Sequence, residues 1–157
     1  MTIKELEKYG FDIFQTTFSS RHPEWTITST SADTYCHHDA DVVTEKGDKF
    51  EIEIKTRPEY TINSFPDLQI DNTKVDAIQN DLRNGECDRA FLCGIYPKNE
   101  QLVMWEIKKD VYYECKKSYR PKKTVTDKKE WVLKCMVSFP IEAGKKYNIV
   151  KPNTDVN

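Results

Sequence analysis

The stretch Ala40-Asp41-Val42-Val43-Thr44-Glu45-Lys46-Gly47-Asp48-Lys49-Phe50-Glu51-Ile52-Glu53-Ile54-Lys55 decides how this chain is read. From Lys49 to Thr56 apolar and charged residues alternate, the pattern of a β-strand whose successive side chains point to opposite faces. Phe50, Ile52 and Ile54 fall on one face and ask for a core. Glu51, Glu53 and Lys55 fall on the other, in steps of about 6.5–7 Å. Residues 40–45 read as a preceding strand and Lys46-Gly47-Asp48 as the turn between them, so the two strands form a hairpin. Antiparallel pairing then brings Asp41 close to residues 53–55. Clustered carboxylates of this kind form a hard-oxygen site suited to Mg²⁺ or Mn²⁺. A lysine beside such a site can hold a water or stabilise charge on a phosphate. The plainer reading of the same face is a solvated sheet with Lys55 paired to Glu53.

Outward from this hairpin, the chain reads as alternating elements with no internal repeat and no domain linker. Thr2-Ile3-Lys4-Glu5 has the form of a capping box, and the spacing of Ile3, Leu6, Ile13, Phe14 and Phe18 predicts an amphipathic helix over 3–19, weakened by Gly10 and ended by Arg21-His22-Pro23. Residues 25–31 alternate and are β-branched, which favours a strand. A loop is expected from Arg57 to about Ile70. Asp71 or Asn72 then caps a helix that runs through Asn84 and stops at Gly85. Ala90–Tyr96 and Leu102–Ile107 read as apolar strands joined by a turn, Lys108–Ser118 as a short helix and Arg120–Lys129 as a basic loop. Trp131–Phe139 reads as a strand, and Tyr147–Val150 as another short one. This order fits an α/β (α+β) chain with a central mixed β-sheet flanked by helices.

Asp41 followed twelve residues later by Glu53-Ile54-Lys55 resembles the D-x(n)-E-x-K signature of the PD-(D/E)xK nuclease superfamily. That superfamily includes type II restriction enzymes, Holliday junction resolvases and phage recombination and repair nucleases. The resemblance covers residues 1–107 in the order α-β-β-β-α-β, which is the restriction endonuclease-like core. Ala40 stands where the motif name has proline. The resemblance implies one nuclease-like domain over 1–157 with a basic C-terminal extension from about 108. It implies a Mg²⁺- or Mn²⁺-dependent endonuclease that hydrolyses phosphodiester bonds, with DNA expected over RNA as the partner and a homodimer among the expected assemblies.

Carried over by residue, Asp41 and Glu53 would bind the metal with the Ile54 carbonyl, and Lys55 would orient or activate the attacking water. Asp39, on the same face as Asp41, is the runner-up for the first carboxylate. Some members add a Glu from the first helix, for which Glu7 and Glu5 are candidates, although Glu5 also fits the capping box. Gln69, Lys74 and His38 are further auxiliary candidates. The alternative reading is a catalytically silent module on the same fold that binds nucleic acid or a protein partner, such as a viral accessory protein that inhibits a host factor.

Composition narrows the remaining classes. The 157 residues have 38% hydrophobic and 32% charged residues, with 11% aromatics to supply a core. No stretch is long and apolar enough for a membrane span, and the N-terminus lacks an apolar signal segment, so a soluble, cytoplasmic protein of a bacterial, archaeal or virus-infected cell is expected. Residues 1–97 hold 10 Lys and Arg against 18 Asp and Glu, and residues 98–157 hold 14 against 8. An acidic front and a basic back suit a protein that gathers cations in one place and a polyanion in another. Lys116, Lys117, Arg120, Lys122, Lys123, Lys128 and Lys129 are the candidate nucleic-acid contacts. The five cysteines, with no C-x-x-C pair, read as reduced thiols rather than a disulfide framework. Cys36-His37-His38 could hint at zinc, but no second cluster with ligand spacing follows it, so no zinc site is expected.

Overall fold

Thr2 begins the first helix as the sequence predicts. Its hydroxyl accepts from the Glu5 N–H at 3.1 Å, while the Glu5 carboxylate accepts from the Thr2 N–H at 2.7 Å. Helix α1 spans Ile3–Arg21 and buries Gly10, Ile13, Phe14, Thr17 and Phe18. In the computed structural model, residues 1–31, 36–121 and 131–152 are described. Lys122, Lys123, Lys128 and Lys129 lie outside these.

After α1 come β1 (Thr26–Ser29), β2 (Ala40–Val43), β3 (Lys49–Thr56), β4 (Asp67–Asp71) and α2 (Asn72–Arg83). The chain continues through β5 (Arg89–Tyr96), β6 (Gln101–Ile107), β7 (Cys115–Pro121), β8 (Trp131–Pro140) and β9 (Lys145–Asn148). Six strands form the central sheet in the order β1-β2-β3-β5-β6-β9. It is mixed, because β3 and β5 run parallel while its other neighbours are antiparallel. A parallel pair needs a crossover, and β4 with α2 supplies it. The architecture is α+β, with helices on a central mixed sheet.

Both faces of the sheet are covered. On one, Ile13, Phe14 and Phe18 of α1 pack with Ala40, Val42, Phe50, Ile52, Cys93 and Ile95. On the other, Val75, Ile78 and Leu82 of α2 pack with Ala90, Leu92, Val103, Trp105 and Ile107. The second sheet, in the order β4-β8-β7, closes this core with Leu68, Ile70, Val137 and Phe139. By strand alternation Glu51, Glu53 and Lys55 share the α2 face. These charged side chains therefore project into a covered layer, not into open solvent.

Gly10 weakens the helix by propensity, and the packing explains why it is there. A Cβ built on Gly10 would stand 2.3 Å from Thr56 Oγ1 and 3.3 Å from Ile54 Cγ2. The missing side chain lets α1 approach β3. Gly10→Ala should gain about 1 kcal/mol of helix propensity and lose about 1–3 kcal/mol to overpacking. The expected net result is a lower melting temperature, measured by thermal unfolding, and a higher one would show that the helix can shift away.

Three expectations are corrected. The loop after Arg57 contains β4, whose Leu68 and Ile70 are buried between half-buried neighbours. Lys108–Ser118 is not a helix; from Cys115 onward this segment is strand β7, paired antiparallel to β8. Its Lys116-Lys117-Ser118 run lacks an apolar helical stripe, and pairing with a strand distant in sequence decides its state. The cysteines are not all reduced, since Cys115 and Cys135 form a disulfide between β7 and β8, leaving Cys36, Cys87 and Cys93 as free thiols. Strand pairing brings the two together across 20 residues of sequence, a proximity that spacing rules do not see. Among the described residues no helix is long and apolar enough to cross a membrane.

Candidate active site

The hairpin loop sets the register that builds the site. Strand β2 ends at Val43, and Thr44 closes the loop: its N–H donates to the Asp48 carbonyl at 2.9 Å and its hydroxyl accepts from the Asp48 N–H at 3.1 Å. Gly47 takes φ 87°, the left-handed region that favours glycine. Val43 pairs with Lys49, Ala40 with Ile52, and Asp41 with Glu51. Asp41 thus stands one charged position short of Glu53 along the strand.

The residue beside Glu53 is Asp39. Its N–H donates to the Ile52 carbonyl at 2.8 Å, and its Oδ2 accepts from the Ile54 N–H at 2.7 Å. Glu53 is fully buried, and its Oε1 accepts from Lys74 Nζ at 2.8 Å with Lys55 Nζ at 3.4 Å. Glu53 Oε2 is buried and has no partner. Burial first, and then the charge of Glu53, pushes the Asp39 carboxyl up to about 6. Burial lowers the Lys55 ammonium, outweighing its attraction to Glu53. Burial also acts to lower Lys74, but Glu53 and Asp39 outweigh it and hold this ammonium above its ordinary value.

Of the auxiliary candidates, Lys74 reaches the cluster from the first turn of α2, where the Asp71 side chain caps the helix. Glu7 lines a cleft of about 550 Å³ together with Lys4, Phe11, Ser29 and Asp39. Glu5 is held in the α1 capping box. Gln69 is directed elsewhere: its amide nitrogen donates to Ser138 at 3.2 Å and its oxygen accepts from Arg120. Lys116, Lys117 and Arg120 lie on β7 in the second sheet.

Asp41 belongs to a neighbouring group. Its Oδ1 lies 2.6 Å from His38 Nε2 and 4.0 Å from Lys49 Nζ. His37 Nε2 meets Asp81 Oδ2 of α2 at 2.5 Å. Burial, followed by the nearby Asp81 and Asp41 carboxylates, pushes Glu51 up to about 8. Sequence reasoning missed Asp81. The available signal was its spacing from Lys74, seven residues and two helical turns on the same face of α2.

No protein-family model matches the chain, and no curated protein matches it. Among solved structures it is similar to Hjc, a Holliday junction resolvase from the archaeal hyperthermophile Archaeoglobus fulgidus. The two share 13% identity, with 60% of this chain and 73% of that chain covered, at a TM-score of 0.43.

The raised Asp39 value has a consequence for stability. Between about pH 4 and 6 the folded chain keeps a proton on Asp39 that the unfolded chain has released, so stability falls as pH rises through that window. The full cost is on the order of 2–3 kcal/mol. Urea unfolding in EDTA should show this decline in the wild type, and Asp39→Asn should flatten it. An unchanged profile in Asp39→Asn would assign the slope to other groups.

Proposed function

We propose that this chain is a metal-dependent nuclease of the PD-(D/E)xK superfamily, a DNA endonuclease that hydrolyses phosphodiester bonds. The observation that carries this reading is the convergence of Asp39, Glu53 and Lys55, with a buried, unpartnered oxygen on Glu53. A buried carboxylate oxygen without a donor is costly unless a cation or proton meets it. The all-oxygen donor set fits Mg²⁺ or Mn²⁺.

Asp39 and Glu53 would hold the ion with the Ile54 carbonyl, which points to the same strand edge as the Ile54 N–H that binds Asp39. When bound, the ion supplies charge to the scissile phosphate and acidifies a water. Lys55, whose ammonium is weakened by burial, positions that water and exchanges a proton with it. Lys74 pairs with Glu53 at 2.8 Å and fixes its orientation. Glu7 faces the same cleft as Asp39 and extends the acidic set. Lys116 and Lys117, with the basic residues that follow them, contact the phosphate backbone. The resemblance implies products with 5′-phosphate and 3′-hydroxyl ends.

The test is incubation with supercoiled plasmid, linear, single-stranded and four-way-junction DNA, and with RNA, in Mg²⁺, Mn²⁺ or EDTA. Cleavage of DNA that EDTA abolishes supports the reading. Intact substrates in both ions overturn it. One observation favours a second reading, a silent binding module: Lys74 already neutralises Glu53 at 2.8 Å without any ion. That module would bind DNA or a protein partner in EDTA as tightly as in Mg²⁺ and cut nothing.

A further inference from the structure

From the arrangement of His37, His38, Glu51 and Asp81, we infer a second metal site, distinct from the Asp39–Glu53 pair, that takes a first-row transition ion of the Zn²⁺ type. One ligand atom from each of these four residues lies within 4.8 Å of all the others. A tetrahedral zinc with bonds of about 2.0–2.1 Å spaces its ligands about 3.3–3.5 Å apart, so a small contraction closes the group. Two imidazoles and two carboxylates suit Zn²⁺, Co²⁺ or Mn²⁺ better than Mg²⁺ or Ca²⁺, which prefer oxygen alone.

Two independent features point into the same space. Glu51 is only 2% exposed, and its Oε2, buried and without a hydrogen-bond partner, stands 3.7 Å from His38 Nδ1. Asp41 meets the other nitrogen of His38, Nε2, at 2.6 Å. A carboxylate on one ring nitrogen keeps the proton there and leaves the lone pair of the other for a metal, the arrangement common behind zinc-bound histidines. Here that nitrogen, Nδ1, lies 3.3 Å from Cys36 Sγ and 3.7 Å from Glu51 Oε2. Asp41 thus acts on the site through His38.

The site ties three parts of the chain together. His37 and His38 precede β2, Glu51 lies on β3 and Asp81 on the third turn of α2. His38 is next to Asp39, so an ion here would pin the segment that carries Asp39. Glu51 and Glu53 are about 6.5–7 Å apart along β3, which separates the two centres while leaving them adjacent.

The test uses tag-free full-length protein stripped with chelator, then loaded with Zn²⁺ or Co²⁺ and dialysed. Wild type should retain one equivalent of zinc, show the visible absorption of tetrahedral Co²⁺ and melt at a higher temperature with Zn²⁺. His37→Ala and Asp81→Asn, at side chains 35% and 19% exposed, should keep the fold by circular dichroism. They should weaken zinc at least 100-fold and lose the shift in melting temperature. Asp41→Asn should weaken it about 10–100-fold, and Glu53→Gln should leave it within about threefold. Zinc retention by the wild type no greater than by folded His37→Ala, or equal loss in Glu53→Gln, would overturn the site. Cleavage assays do not enter this result, so it stands or falls apart from the nuclease reading.

Discussion

Lys55→Ala is expected to reduce phosphodiester cleavage by about 10²–10⁴-fold, the range of a positioned acid–base group, while the protein stays folded. The fold survives because Glu53 keeps its shorter ion pair, with Lys74 at 2.8 Å. Activity does not survive because Lys74 cannot replace Lys55. Burial lowers one ammonium and attraction to Glu53 raises the other. Two lysines on one carboxylate are thus pushed apart in acidity, which separates a proton-exchanging role from a clamping one. Lys74→Ala should therefore cost far less turnover, about tenfold, and appear mainly as weaker Mg²⁺ dependence. Single-turnover cleavage of the best substrate measures both. Wild-type rates in Lys55→Ala would remove this lysine from the chemistry, and an equal loss in both variants would mean that Lys55 also only orients Glu53.

What the sequence revealed and what it hid divide along a physical line. The capping box of α1, the strand Lys49–Thr56 and the Asp71 cap of α2 were legible because each is fixed by neighbours within a few residues. Strand β4 was hidden in a proline-bounded segment because five residues carry only two buried positions, Leu68 and Ile70. Strand β7 was hidden because its state is decided by pairing with β8, which begins only at Trp131. The same distance concealed the Cys115–Cys135 bond. At the site, the faces of Glu51, Glu53 and Lys55 follow from alternation alone. Which aspartate meets Glu53 does not, because that depends on where the hairpin closes. The histidine cluster shows the same limit: the fold gathers Glu51 of β3 and Asp81 of α2 around His37 and His38, and no local spacing links them.

The register of that hairpin leads to the sharpest test of the site. A tight turn over Lys46-Gly47-Asp48 would pair Glu45 with Lys49 and set Asp41 opposite Glu53. The wider loop closed by Thr44 and Asp48 pairs Val43 with Lys49 instead. A shift of two residues keeps every side chain on its face, so the alternation pattern is blind to it, yet it exchanges one aspartate for another. Asp39 is left against Ile54 and Glu53, and Asp41 against His38 and Glu51. Asp39→Asn should then lower metal-dependent cleavage by about 10³-fold, comparable to losing a group that holds transition-state charge. The substitution keeps an oxygen to accept from the Ile54 N–H but removes the charge a divalent ion needs. Asp41→Asn should cost about tenfold or less in Mg²⁺, with its main effect on His38. Measuring kcat against Mg²⁺ concentration for both variants decides between them. If Asp41→Asn is the dead enzyme and Asp39→Asn still cuts, the hairpin in solution closes by the tighter turn, and Asp41 and Glu53 are the pair that holds the ion.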